Sequence, residues 1–62
     1  MKKKEIINLL KTDLDLYNTM ILNDAKFIKD CNGRVSQEFE EISFGRQCIS
    51  TYLTRLLEII ED

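Results

Sequence analysis

The sequence predicts an all-α protein in which two long helices form an antiparallel hairpin, within one domain that spans residues 1–62. Three observations support this fold class. The chain of 62 residues contains no proline, apolar residues recur at steps of three and four in both halves, and no segment alternates between polar and apolar residues as a half-buried strand would. A chain of this length is one domain at most.

The first helix is predicted over residues 4–31. Its apolar residues form two adjacent rows, and each row has the three- and four-residue spacing that places side chains on one face of a helix. The row predicted to face the second helix consists of Ile7, Leu10, Leu14, Tyr17, Ile21, Ala25 and Ile28. The row beside it consists of Ile6, Leu9, Leu16, Met20, Phe27 and Cys31.

The second helix is predicted over residues 36–61. Asn32 and Gly33 tolerate the left-handed backbone that ends a helix, and Ser36 is a suitable N-cap for the next one. The row predicted to face the first helix consists of Phe39, Ile42, Ile49, Leu53, Leu56 and Ile60. The row beside it consists of Phe44, Cys48, Tyr52, Leu57 and Ile59.

The short connection between the helices predicts their relative direction. A loop of about four residues requires two neighbouring helices to run antiparallel. Residues that face each other should then have numbers that add to about 67, as Leu14 and Leu53 do. In this register Cys31 and Cys48 are too far apart for a disulfide, and we expect both to be buried thiols.

One layer of the predicted hairpin is polar. Asp24 occupies a core position of the first helix, and Gly45 and Arg46 lie near it on the second. A glycine inside a helix usually marks a close approach of backbones or a kink. Three interpretations stay open: an Asp24–Arg46 ion pair that fixes the register, a small anion-binding pocket, or a break of the second helix at residues 43–45.

The second apolar row of each helix predicts self-association. A lone hairpin can bury one row of each helix, and exposed apolar patches of the remaining size usually form an interface. The simplest arrangement is a two-fold dimer that forms a four-helix bundle, although a larger host protein would also cover these rows. The predicted interface consists of Leu9, Leu16, Met20, Phe27, Phe44, Tyr52 and Ile59.

Composition argues against several functions. The net charge is −2, so the chain offers duplex nucleic acid no broad basic surface. Histidine is absent, and the two cysteines are not spaced as metal ligands, so we expect neither a metal nor a cofactor, and we do not favour an enzyme. No apolar stretch is long enough for a membrane span, and Glu5 interrupts any signal sequence. We therefore expect a cytoplasmic protein.

One segment resembles the signature of a phosphatase family. The segment is Ser36-Gln37-Glu38-Phe39-Glu40. It is similar to the S-Q-E-L-D signature of the small aspartyl-phosphate phosphatases of sporulation control, which are also helical hairpins with the signature on the second helix. This resemblance implies that Ser36, Gln37, Glu38 and Glu40 would face the phospho-aspartate of a response regulator.

A second segment resembles small phage proteins that sequester the cyclic-nucleotide signals of bacterial defence systems. Their last helix is similar to G-R-E-x-S-L-A-x-T-K-L-E, and the corresponding positions here are Gly45-Arg46-Gln47, Ser50 and Leu53-Thr54-Arg55-Leu56. The resemblance implies a small helical oligomer in which Arg46 and Arg55 pair with phosphates and Tyr52 stacks on a base. The pocket interpretation of the polar layer adds Gly45 and Asp24 as candidate binding residues.

These observations leave three hypotheses for function. The first is a non-enzymatic binding protein, such as a phage-type inhibitor or sequestering protein, that acts on a host protein or a nucleotide signal. The second is the aspartyl-phosphate phosphatase. The third is a structural assembly piece whose only partner is itself.

Overall fold

The computed structural model describes residues 2–61, which form two helices and no strand. Helix α1 spans Lys3–Asp30 and helix α2 spans Gln37–Glu61. The predicted boundaries, 4–31 and 36–61, are therefore correct to within one residue at each end. The helices pack on each other along their length, and the predicted all-α hairpin is confirmed.

The turn between the helices begins with a left-handed cap on α1. Asn32 has φ 55° and Gly33 has φ 77°, which is the backbone that these two residue types tolerate best. The Gly33 amide donates to the Ile28 carbonyl at 2.8 Å, and the Asn32 amide donates to the Lys29 carbonyl at 3.0 Å. These two bonds form a Schellman motif, which satisfies carbonyl groups that the end of a helix leaves without partners.

Helix α2 begins at the predicted N-cap, Ser36. The Phe39 amide donates to the Ser36 Oγ at 3.1 Å, and the Glu40 amide donates to the Ser36 carbonyl at 3.1 Å. Glu38 and Glu40 lie in the first turn, where carboxylates interact favourably with the positive end of the helix dipole. The cap and the acidic turn explain why the helix starts here.

The helices meet along one inner row on each, at the alternating three- and four-residue spacing of a coiled coil. All inner-row side chains are buried or half-buried. The inner row of α1 consists of Ile7, Leu10, Leu14, Tyr17, Ile21, Asp24, Ile28 and Cys31. The inner row of α2 consists of Phe39, Ser43, Arg46, Ser50, Leu53, Leu57 and Ile60. Two contacts across the seam, Asn18–Ser50 and Asp24–Arg46, have residue numbers that add to 68 and 70, close to the predicted 67.

The predicted inward row of α2 is wrong at Ile42 and Ile49, which are exposed, and the predicted row of α1 is wrong at Ala25, which is also exposed. Leu57, predicted for the neighbouring row of α2, is buried in the seam in place of Leu56, which is half-buried. The first half of the true inner row of α2 is polar, at Ser43, Arg46 and Ser50. A prediction from apolar spacing alone therefore takes the neighbouring face of α2 as the inward one, because its residues are more hydrophobic.

Gly45 neither breaks α2 nor marks a close approach to α1. Helix α2 continues from Gln37 to Glu61, so the interpretation of a break at residues 43–45 is wrong. Beyond the surrounding turns of α2, no described atom comes within 4 Å of a Cβ placed on Gly45. The hairpin itself therefore does not require a glycine at this position.

The hairpin has little core of its own. Leu53 and Leu57, each 8% exposed, are the most buried apolar side chains, and within residues 2–61 no side chain is fully buried. Cys31 is half-buried but Cys48 is exposed, so the expectation of two buried thiols is wrong for Cys48. Neither helix is long and apolar enough to cross a bilayer.

Candidate functional site

The middle of the seam between the helices contains an ion pair. The Arg46 Nη1 donates to the Asp24 Oδ1 at 2.6 Å, and the Asp24 residue is 4% exposed. The predicted Asp24–Arg46 pair is therefore confirmed. The Asp24 Oδ2 is buried and has no hydrogen-bond partner within residues 2–61, so the pair stabilises the register without satisfying both oxygens of the carboxylate.

A second polar contact lies about one turn and a half along the seam from the ion pair. The Ser50 Oγ donates to the Asn18 Oδ1 at 2.7 Å. Together with buried Ser43, these groups make the central seam polar where a helical hairpin normally buries leucine or isoleucine. Less apolar surface is therefore buried between the two helices than the composition would allow.

Most of the apolar surface that the seam does not use lies on one side of the hairpin. On each helix, the residues that precede the inner-row residues by one position in sequence form a second row. A step back of one residue turns by about 100° around a helix axis. Because the helices face each other and run in opposite directions, both steps lead to the same side, which we call the outer face. Its row on α1 consists of Ile6, Leu9, Asp13, Leu16, Met20, Asn23, Phe27 and Asp30, and its row on α2 consists of Glu38, Ile42, Gly45, Ile49, Tyr52, Leu56 and Ile59.

An ion pair on the opposite side supports this geometry. Lys11 and Glu61 each lie one position after an inner-row residue, and the Lys11 Nζ is 3.2 Å from the Glu61 Oε1. Residues one position after an inner-row residue therefore lie on one side of the hairpin. Residues one position before an inner-row residue lie on the other side. Leu22, which is 72% exposed, lies on the same side as this ion pair.

The outer face is strongly apolar and open to solvent. Eight of its large apolar side chains are between 36% and 71% exposed, namely Ile6, Leu9, Leu16, Phe27, Ile42, Ile49, Tyr52 and Ile59. Met20 and Leu56 are half-buried. Between Ile42 and Ile59 the row on α2 contains no charged residue, so this helix is more apolar outside the seam than inside it.

The predicted oligomer interface divides between two surfaces. Six of its seven residues lie on the outer face: Leu9, Leu16, Met20, Phe27, Tyr52 and Ile59. Phe44 is 66% exposed but follows the inner-row residue Ser43, so it lies on the other side of α2. Ile42 and Ile49, which the sequence placed inside the hairpin, belong to the outer face. Their spacing of seven residues shows that they share one face of α2, but it does not show whether that face is turned toward α1.

A shallow depression of about 340 Å³ lies on α2 itself, away from the seam. Its walls are formed by Phe44, Gln47, Cys48, Thr51, Tyr52 and Arg55. It brings together Tyr52 and Arg55, two of the five predicted ligand-binding residues. Arg46 and Asp24 are paired in the seam instead, and Gly45 lies on the outer face. The five residues thus do not form one pocket.

The residues of the phosphatase-like segment lie in the turn before α2 and in its first helical turn. The Ser36 hydroxyl accepts the Phe39 amide as described above, and the Gln37 Nε2 is 3.4 Å from the Glu41 Oε1. Gln37, Glu38 and Glu40 are exposed. Ser36 is therefore used by the helix cap, while the other three side chains face solvent at the loop end.

No group of three or more potential metal-ligating side chains is assembled within residues 2–61. The acidic residues of the described chain are distributed along both helices rather than gathered at one place. Comparison with protein-family models, with curated proteins and with solved structures finds no match to this chain. The two resemblances drawn from the sequence consequently stay predictions.

Proposed function

We propose that this chain is a small, non-enzymatic binding protein that works by burying its outer face against a protein partner. The observation that supports the proposal is the one-sided exposure of eight large apolar side chains on a hairpin with almost no core. Burying one such side chain contributes about 1.5–3 kcal/mol, so a partner that covers this face adds stability that the hairpin lacks.

The size of the chain supports the same proposal. Below about 70–80 residues, a single core rarely provides enough stability, and small domains often depend on oligomerisation or a partner. Here the centre of the seam is occupied by Asp24, Arg46 and Ser50, so the deficit is larger than length alone implies. The outer face provides the remaining apolar area.

The specific role that we propose is inhibition or sequestration of a host regulatory or defence component, as in small phage-encoded inhibitors. A rigid hairpin with one apolar face can block a surface on a larger protein without performing chemistry. The sequence contains no histidine, and the outer face contains no arrangement of a nucleophile with a base. Binding therefore fits these residues better than catalysis does.

A photo-crosslinking experiment tests the proposal. A photoreactive residue replaces Ile49 on the outer face or, as a matched control, Leu22 on the opposite side. We expect crosslinked products from position 49 in the cell that makes the protein, and few or none from position 22. Absence of products from position 49, or equal yields at the two positions, would contradict the proposal.

A second candidate function is binding of a nucleotide signal in the depression on α2. Tyr52 and Arg55 both line it, so an aromatic ring for stacking lies near a guanidinium that can pair with phosphate. Arg46, which the resemblance also assigned to phosphate, is instead paired with Asp24.

Titration calorimetry with cyclic dinucleotides tests this second function. We expect Arg55→Ala to weaken binding by about tenfold or more, because a charge-assisted pair contributes about 1.5–3 kcal/mol. Arg34→Ala, in the exposed loop, is the control and should bind like the unaltered chain. No heat of binding from the unaltered chain would exclude the cyclic dinucleotides tested.

A further inference from the structure

We infer that the partner that covers the outer face is a second copy of this chain, packed face to face with its loop at the opposite end. The inference rests on the proposed function, in which a protein partner covers the outer face, and it names that partner. A host component would then bind the helix surfaces that the dimer leaves exposed. The resulting assembly is a four-helix bundle in which α1 packs against α1 of the second copy and α2 packs against α2.

The area of the face fits a dimer of this size. The hairpin measures 44 × 17 × 14 Å, so its broad side projects to about 750 Å², the product of the first two extents. A standard stable interface buries about 800 Å² on each partner. The outer face therefore comes close to the size of such an interface only when it is covered along its whole length.

The charges along the outer face favour a second copy with the opposite orientation. Lys2 continues the α1 row at the end where the termini lie, Asp13 lies nearer the middle of that row, and Asp30 and Glu38 end the two rows at the loop. A two-fold axis that crosses the helices places the basic end of one copy over the acidic end of the other, twice. An axis parallel to the helices would instead bring all four carboxylates together at the loop ends, which like-charge repulsion disfavours.

Gly45 gives the interface a site for close packing. It is the only outer-face residue of α2 without a side chain, in a row otherwise dominated by Ile, Tyr and Leu. The space above it is empty in the hairpin, although glycine costs a helix about 1 kcal/mol relative to alanine. In the dimer, a bulky side chain of the second copy fills this space, and this packing explains why a glycine stands in the middle of α2.

A matched pair of substitutions tests the occupant. Gly45→Met adds a helix-favouring side chain that the hairpin can accommodate, but it fills the space that the second copy needs. Thr54→Met adds the same side chain on the opposite side of α2. In sedimentation equilibrium of the purified chain, we expect the unaltered protein and Thr54→Met to have twice the chain mass of 7.3 kDa. Gly45→Met should dissociate at concentrations at least about tenfold higher.

Three results would overturn the inference: a monomer at all concentrations, equal dissociation constants for the two variants, or an assembly that is not a dimer. Circular dichroism of each variant verifies that the helices are still formed. If position 49 crosslinks only to a different protein while the purified chain is monomeric, the inference fails and the proposed function stands. If position 49 gives no products, the proposed function fails as well.

Disulfide trapping tests the orientation independently of Gly45. In a background with Cys31→Ala and Cys48→Ser, chains with Lys2→Cys are mixed with chains that have Asp30→Cys and are oxidised. Opposed loops predict mixed disulfides between these two kinds of chain, and few when Asp30→Cys chains are mixed with Glu38→Cys chains. The reverse yields would contradict this orientation.

Discussion

The Asp24–Arg46 pair shows how single residues determine the register of the hairpin. A buried ion pair adds little net stability, since desolvation of the charges offsets most of their attraction, but breaking it by removing one partner is costly. The pair was predictable because Asp24 interrupts an otherwise apolar row. The Asn18–Ser50 bond was not predictable, because short polar side chains at these positions are equally common on exposed helix faces.

We predict that Arg46→Met lowers the free energy of unfolding by about 1–3 kcal/mol, because the buried carboxylate of Asp24 loses its hydrogen-bond donor. The double variant Asp24→Leu, Arg46→Met should be within about 1 kcal/mol of the unaltered protein or more stable, since both charges are removed together. Urea unfolding followed by circular dichroism measures both values. A double variant that is less stable than Arg46→Met alone would contradict this account.

At the scale of the elements, helix positions were predictable to within a residue, whereas the orientation of α2 was not. The cap residues Ser36 and Asn32 act locally, so their sequence signals are sufficient to locate the helix ends. Which face of α2 turns inward depends on which side chains of α1 lie opposite it. The ion pair with Asp24 holds Arg46 in the inner row of α2. The more apolar Ile42 and Ile49 therefore lie on the outer face.

We predict that Ser36→Ala lowers the free energy of unfolding by about 1 kcal/mol, because the Phe39 amide loses the side-chain oxygen that caps it. Ser36→Asp provides another acceptor at the same place and should retain most of the stability. Thermal unfolding of the two variants measures the difference. Equal stability of Ser36→Ala and the unaltered chain would show that the cap contributes nothing.

At the scale of the whole molecule, the hairpin buries only part of its apolar surface, and two more helices would be needed to cover the rest. Its inner seam is partly polar, and its outer face contains more large apolar side chains than its core does. The surplus was evident from the sequence, because two apolar rows per helix exceed what two helices can bury between them. Which residues form the outer face required the structure, because it depends on how α2 is rotated about its axis.

We predict that the outer face stabilises the folded state although it is exposed in the single hairpin. Ile49→Gln should lower the unfolding temperature at high protein concentration, since it removes an apolar side chain from the proposed interface. Leu22→Gln makes the same kind of change on the opposite side and should alter stability by no more than about 0.5 kcal/mol. Equal effects of the two substitutions would indicate that the outer face is not buried.

Covering the outer face with another copy is what gives this hairpin most of its stability. The most direct test is thermal unfolding of the unaltered protein at concentrations from about 1 µM to about 1 mM, because self-association stabilises the folded state by mass action. We expect an unfolding temperature that rises steadily with concentration. A sharp transition at the same temperature throughout this range, from a protein that stays monomeric, would contradict it.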